Sequence, residues 1–405
     1  MNLKALVRGF GEEAKGSGFA LSEITAVNWR RRAKMRAMKI DAFELRRIRM
    51  PLVAPFRTSF TTEYERDVLL VRALTPDEEG WGECVAMDEP LYSSEYVDGA
   101  HDVTKRHLLP RVFAAGDLSA SAVAGLLESI KGHPMAKAAV ELAILDAELR
   151  AEGVSLAQRL GAVRDEVDCG VSVGIHDTID GLLTTVQKHI DEGYRRIKLK
   201  IEPGSDIEHV RAVRERWTDV PLQVDANTAY TRADVRHLGQ LDAFDLLLIE
   251  QPLPEDDILG HAELAKHIRT PVCLDESIIS ARAAADAIAL GACSIVNIKA
   301  GRVGGYLEAR RIHDVCAANG VPVWCGGMLE TGIGRAANVA LAALPNFMLP
   351  GDTSASDRYF HRDITEPFRL HDGRLSVPQG SGIGVTPLQD VLDDVTSSVE
   401  LVRPS

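Results

Sequence analysis

Lys200, Asp225, Glu250, Asp275 and Lys299 stand 25, 25, 25 and 24 residues apart, each in or just after a short apolar run. The runs are "RRIKLKI" (195–201), "PLQVDAN" (221–227), "DLLLIEQP" (245–252), "PVCLDES" (271–277) and "SIVNIKA" (294–300). Each reads as a β-strand. Side chains two apart share a strand face, so Lys198 joins Lys200 while Ile197, Leu199 and Ile201 point the other way. Two ammonium groups side by side out of water are costly unless anions face them. Three carboxylates brought together repel and take up protons, and a divalent cation resolves that crowding. All-oxygen ligation with room for water suits Mg²⁺ better than Zn²⁺, with Mn²⁺ or another divalent cation as the alternative. Simple pairing of the acids and lysines as buried salt bridges balances the charge but does not explain three acids at one level. The set suits removal of a proton from the carbon beside a carboxylate, where a metal holds the developing charge. A lysine acts as base there if nearby cations lower its pKa. Lys198 supplies such a cation to Lys200, and Arg302 supplies one to Lys299. Lys198 itself is expected to hydrogen-bond rather than move a proton.

Positioning these groups falls to a repeating strand–helix unit. It begins with "GVSVGI" (170–175), continues through the five runs above and "PVWCGGM" (322–328), and "NFMLPGD" (346–352) supplies an eighth strand. Such alternation implies parallel strands with right-handed crossovers. Eight near-uniform units favour a closed (β/α)8-type barrel, in which chemistry gathers at the carboxyl ends of the strands. An open doubly wound sheet is the alternative, but "GVSVGIHD" lacks the glycine-rich phosphate turn that usually follows its first strand. "GRVGG" (301–305) is a tight strand-to-helix turn, or else a phosphate nest.

Outside the barrel, "KIDAFELRRIRMPL", "SFTTEYERDVLLVRALT" and "GWGECVA" read as antiparallel strands, and 133–153 as a long helix. The tail stretch "FRLHDGRLSVP" reads as a strand pair turning at Asp372-Gly373, packed back on the first domain. Residues 1–37, with the basic "NWRRRAKMRAMKI", are an extension expected to carry no chemistry. They lack the apolar core of a secretory signal.

The 405 residues carry a net charge of −13. That excludes nucleic acid and anionic membrane as partners, which demand a basic surface. None of the six cysteines forms a C-x-x-C pair, which points to buried thiols and a cytoplasmic protein. No apolar run reaches the roughly 18–20 residues of a membrane span.

These residues resemble the enolase superfamily in its muconate-lactonizing branch, and most closely the o-succinylbenzoate synthase / N-succinylamino acid racemase family, also called N-acylamino acid racemases. The likeness runs over 38–405 and is carried by "MPLVAPFRTSF", "GWGECVAMDEPLYSSEY", "CGVSVGI", "RIKLKIEPG", "QVDANTAY", "LIEQPL", "CLDES", "VNIKAGRVGGYLEA" and "VWCGGMLETGIGRAANVALAALPNF". It implies an α/β fold: a (β/α)7β TIM-type barrel (166–353) with an α+β capping domain (38–165) to which a C-terminal segment (354–405) returns. It implies Asp225, Glu250 and Asp275 as metal ligands, and Lys198, Lys200 and Lys299 as the catalytic lysines. The implied substrate is a small carboxylate. In racemisation of N-succinyl or N-acyl amino acids, Lys200 and Lys299 alternate as base and acid. In the synthase reaction, Lys200 performs both proton steps as water leaves a cyclohexadiene carboxylate, and Lys299 serves as a cation. Both routes pass through an enediolate. The stretch "APFRTSF" (54–60) would be a loop covering the substrate, with Phe56 and Met87 as apolar contacts or as interface packing. Ser172 and Gly327, Met328 and Leu329, followed by Glu330, would line the acyl end. A homo-oligomer, dimer or octamer, is the family's habit. Ala300 departs from the proline that relatives often carry.

A dedicated synthase and a muconate cycloisomerase share the same catalytic set. A dipeptide epimerase is disfavoured, because Asp352 has no second acid at Ser354. A catalytically dead scaffold would have lost at least one of the six charged positions.

Overall fold

The computed structural model describes residues 37–404, so the expected extension lies outside the described residues except for Ala37. Strands β1 (Ala42–Arg57), β2 (Thr62–Leu74) and β3 (Glu79–Cys84) form the expected antiparallel sheet. Helix α1 (Pro134–Glu152) lies on it. Proline at its start suits a position whose amide lacks a helical partner, and Gly153 ends it in the left-handed region, at φ 66°. Contact between sheet and helix explains the "GWGE" glycines. A Cβ on Gly82 would lie 2.0 Å from the Ala139 carbonyl oxygen, so only glycine admits this approach.

The parallel sheet runs in chain order through β5 (Gly170–Val173), β6 (Arg196–Lys200), β7 (Leu222–Asp225), β8 (Ile249–Glu250), β9 (Val272–Leu274), β10 (Ile295–Ile298) and β11 (Val323–Cys325). Helices α2 (Ile179–Asp191), α3 (Ile207–Arg216), α4 (Ile258–His267), α5 (Ala281–Ala289), α6 (Tyr306–Ala318) and α7 (Gly332–Ala342) alternate with it. Among the described residues, the expected eighth strand is not a regular strand. Residues 346–352 make isolated bridges instead, Phe347 to Val323 and Gly351 to Cys169. Their backbone still bonds on both sides, Met348 N to Val323 O and Asp352 N to Cys325 O on one, Gly170 N to Gly351 O on the other. An irregular segment thus closes the ring.

Alternation along the strands sorts the interior as expected. Ile197, Leu199, Val224, Ile249, Val296 and Ile298 join the main core, while Leu248, Cys273, Ile295 and Trp324 form a separate apolar floor inside the barrel.

Two other expectations change in detail, and a third holds. The helix after β7 is broken into short 3-10 and α pieces between Arg232 and Ala243, where Thr231 and Asp234 cap one another and Leu238 and Leu241 are the buried anchors. The turn at Asp372 and Gly373 is present, both at positive φ. Within the tail the pairing is limited to the His371–Arg374 bridge across that turn, and β12 (Arg374–Ser376) pairs with β4 (Glu166–Asp168). The chain's return to the first sheet is made by β13 (Thr396–Val402) against β1. Finally, "GRVGG" is a tight turn whose amides bond internally, Gly305 N to Ala300 O and Val303 N to Lys299 O.

Among the described residues no helix is long and apolar enough to cross a membrane. All six cysteines are unpaired and buried.

Candidate active site

Lys200, Asp225 and Glu250 are level neighbours in the β6–β7–β8 ladders. Beyond them the level shifts. Glu250 pairs with Cys273, leaving Asp275 two residues further along β9's direction, and Lys299 lies two residues beyond the β10 position opposite Asp275. Equal sequence spacing therefore conceals a stagger. Tilted strands in a barrel require it, and it returns Asp275 and Lys299 to the same height about the axis.

The side chains converge. Lys200 Nζ donates to Asp225 Oδ2 and Asn227 Oδ1, both at 2.6 Å. Lys198 Nζ lies 3.0 Å from Glu250 Oε2 and 3.3 Å from Asp225 Oδ2. Lys299 Nζ lies 2.8 Å from Asp275 Oδ2. Arg302 Nη2 approaches Asp275 Oδ1 to 2.9 Å, but that oxygen receives no aligned hydrogen bond. The loops that carry these groups are strained. Asn227, Gln251 and Leu329 hold positive φ of 41°, 38° and 56°, and such strain concentrates at functional sites. Gln251 secures the next loop by accepting from the amides of Asp275 and Ser277.

Burial and mutual repulsion push the Glu250 carboxyl well above its usual range, with Asp225 and Asp275 as the repelling charges. Glu276 rises to about 8 from burial, Asp275 and Asp225. Burial opposes ionisation of Asp225 as well, yet Lys200 and Lys198 hold it below the carboxylate range. For Lys299, the expectation that a nearby cation lowers its pKa is overturned. Burial does lower Lys299, but Asp275, Tyr92 and Glu276 outweigh it, and Arg302 spends its charge on the same Asp275. Lys198 is likewise raised, because Asp352, Glu250 and Asp225 outweigh its burial.

As the side chains stand, no group of three His, Cys, Asp or Glu among the described residues is gathered around one ion position. Each strand-tip acid is turned to a cationic side chain, so the salt bridges considered from the sequence do form. The donor set still fits a hard divalent cation. Its acids are buried, repel one another so that with burial the Glu250 pKa is raised, and leave Asp275 Oδ1 and Glu276 Oε2 without hydrogen bonds.

Expected substrate residues are placed less uniformly. Ser172 is buried, its Oγ donating to Asp352 Oδ2 at 3.4 Å. Gly327 packs on Asp352, while Met328 and Leu329 are buried. Much of 54–60 is strand, since β1 runs to Arg57. Its last residue and the turn after it reach over the barrel: Arg57 O accepts from the Ile175 amide, and Ser59 Oγ donates to the carbonyls of Ala226 and Asn227. Phe56 meets Tyr359 edge-on at 6.2 Å and lines a cavity of about 1190 Å³ beside β5 that includes none of the charged strand-tip residues. Met87 lines a different cavity, of about 400 Å³.

Sequence reasoning missed Tyr92 and Asn297. Tyr92 OH donates to Asp275 Oδ2 at 3.3 Å and accepts from Lys299 Nζ at 3.0 Å, and the ammonium lies 4.7 Å from its ring centre. Asn297 Nδ2 donates to Glu250 Oε1 at 2.6 Å. Asn297 was legible, two residues before Lys299 on the same face. Tyr92 reaches the site from a loop after β3, and no periodicity announces that.

A parallel barrel with lysines on β6 and just beyond β10 around buried acids, joined to an antiparallel sheet with a long helix, defines a class of proton-moving barrel enzymes. The chain belongs to the enolase superfamily. Residues 181–391 match the model for the enolase C-terminal domain-like family, and 42–161 match the mandelate racemase / muconate lactonizing enzyme N-terminal domain. The chain is similar to an N-succinylamino acid racemase from an Amycolatopsis species, 67% identical over 362 residues, which cover 89% of this chain and 98% of that one. It is 47% identical to an o-succinylbenzoate synthase from Geobacillus kaustophilus, over 86% of this chain and 93% of the relative. A crystal structure of an enolase superfamily member from Listeria innocua superposes with a TM-score of 0.87 at 41% identity, covering 90% of this chain and 99% of that one. The chain is an enzyme, and members of its superfamily use a divalent metal.

Proposed function

We propose that the protein racemises N-succinyl or other N-acyl amino acids by moving the proton beside the carboxylate, and that the same site carries o-succinylbenzoate synthase chemistry. One observation carries the reading. Lys200 and Lys299 reach the acid cluster from strands four places apart around the ring, each with its own partners, Asp225 and Asn227 for one and Asp275 and Tyr92 for the other. Two such groups address opposite faces of one carbon, as inversion requires. Lys200 takes the proton from one enantiomer and Lys299 delivers one to the other face, and for the opposite enantiomer the roles reverse. Lys198, pinned between carboxylates, stays a fixed cation. Ser172 and the 327–329 turn would take the acyl end; Phe56 and Met87, in separate cavities away from the strand-tip charges, are assigned to packing rather than to the substrate. Asp225, Glu250 and Asp275 would hold the ion, with Mg²⁺ favoured and Mn²⁺ an alternative. When bound, it supplies positive charge for the substrate carboxylate and takes up the acids that otherwise pair with the lysines.

The relatives' names support this reading, the racemase at higher identity than the synthase. The test is solvent deuterium uptake at Cα of N-succinyl amino acids with Mg²⁺, expected from both the L and D forms. Retention of the α-hydrogen by both forms refutes the racemase. Turnover of the cyclohexadiene precursor would then assign the synthase alone.

A further inference from the structure

Asp352 lies on the irregular segment that closes the ring, and its side chain is buried. Arg196 Nη1 donates to its Oδ1 at 2.8 Å, and Ser172 Oγ donates to Oδ2 at 3.4 Å. Lys198 Nζ lies 2.6 Å from Oδ2. Arg196 is fully buried inside the barrel and is itself anchored, Nη2 donating to the Pro350 carbonyl at 2.7 Å. The fold makes room for it, since a Cβ on Gly170 would fall 2.3 Å from the guanidinium carbon. Trp324 lies beneath both cations, its ring centre 5.1 Å from Arg196 and 4.7 Å from Lys198. This is a built clamp with Asp352 at its centre.

The clamp bears on the acids that fit the metal. Lys198 Nζ is shared unequally, nearest to Asp352, then to Glu250 Oε2 at 3.0 Å and Asp225 Oδ2 at 3.3 Å. Glu250 and Asp225 each have one oxygen engaged elsewhere, by Asn297 Nδ2 and by the Asn227 amide. The oxygens facing Lys198 are therefore the ones a divalent cation needs. Among the described residues Glu250 Oε2 accepts from Lys198 alone, Asp225 Oδ2 also accepts from Lys200 at 2.6 Å, and an ammonium settled fully on them competes with that cation. We propose that Asp352, fixed by Arg196, is a positioning residue of the active site, drawing the shared Lys198 ammonium toward itself and so weakening its hold on Glu250 and Asp225, which lets a divalent cation displace it from their oxygens. The inference rests on the reading that these acids and Asp275 hold the ion. Asp352 would act only through Lys198 and touch neither metal nor substrate.

The experiment measures Mn²⁺ binding to the whole protein by the electron paramagnetic resonance of free Mn²⁺, for wild type, Asp352→Asn, Lys198→Met and the double variant. Asp352→Asn should weaken binding at least tenfold. Lys198→Met should bind as tightly as wild type or tighter, and in its background Asp352→Asn should change the affinity less than twofold. A merely structural role for Asp352 predicts the same loss in both backgrounds. Wild-type affinity in Asp352→Asn overturns the inference, as does a loss that persists without Lys198. If Asp352→Asn does not fold, Lys198→Met still decides, because a tenfold weakening there refutes the competition. Wild-type protein that binds no Mn²⁺ refutes the metal reading and takes this inference with it. Wild-type binding with an indifferent Asp352→Asn refutes this inference alone.

Discussion

Glu83 shows how the antiparallel sheet grips the barrel, and replacing it by glutamine gives a signed, measurable prediction. The Glu83 carboxylate, on β3, is buried at the start of α7. It accepts from the Thr331 amide at 2.9 Å, the Thr331 hydroxyl at 2.6 Å and the Gly334 amide at 2.8 Å. Burial, with Glu330 adding repulsion, raises its pKa from 4.5 to about 7 despite those donors. The folded protein therefore holds this proton more tightly than the unfolded chain. The stability it contributes is complete below pH 4.5 and lost as pH rises through about 7. A gap of about 2.5 units at about 1.4 kcal/mol each gives about 3 kcal/mol over the whole window, of which about 2–3 kcal/mol falls between pH 5 and pH 8. Glu141, also raised to about 7 by burial, slopes in the same direction. Glu83→Gln should thus unfold in urea with a pH 5 to pH 8 difference smaller than that of wild type by about 2–3 kcal/mol. Circular dichroism at both pH values measures it. Parallel pH curves for the two proteins would refute the reasoning, whatever their vertical offset.

Lys200→Ala and Lys299→Ala should each abolish racemisation, a loss of at least about 10²-fold as proton-transfer groups are removed. Proton NMR of the two enantiomers in D₂O checks this, and racemisation surviving in either variant contradicts the two-base scheme. Chelation of divalent ions should stop α-proton exchange, and Mg²⁺ or Mn²⁺ should restore it; exchange that continues in excess chelator speaks against the metal. Trp324→Ala removes the barrel floor beneath Lys198 and Arg196 and should cost about 3–5 kcal/mol in urea unfolding. A cost under about 1 kcal/mol would show that the floor is not a packed core.

The parts of the fold written locally were legible. Alternation in "RRIKLKI" places Lys198 and Lys200 inside and Ile197 and Leu199 outside, and the recurrent strand tips announce a barrel, because both depend only on periods of two and of one strand–helix unit. What depended on distant partners was not legible. The 346–352 segment reads as a strand, but Pro350 and Gly351 interrupt it, so it bonds to both neighbours without forming a ladder. The stagger at Asp275 comes from strand tilt, which spacing cannot express. The basicity of Lys299 was misjudged because Arg302, three residues on, is visible in the sequence, whereas Asp275 and Tyr92, which face the ammonium, come from other parts of the chain. Tyr92 was missed for the same reason, and Asp352 was used only to weigh a rival reaction.

The amide ends of two barrel helices are finished by side chains from elsewhere. Glu83 serves α7, and Glu141 of α1 accepts from the Leu307 amide in the first turn of α6. A barrel severed from its cover would leave those donors facing apolar surroundings with nothing to satisfy them. A barrel without its cover is incomplete at these helix ends, so the two should melt as one block.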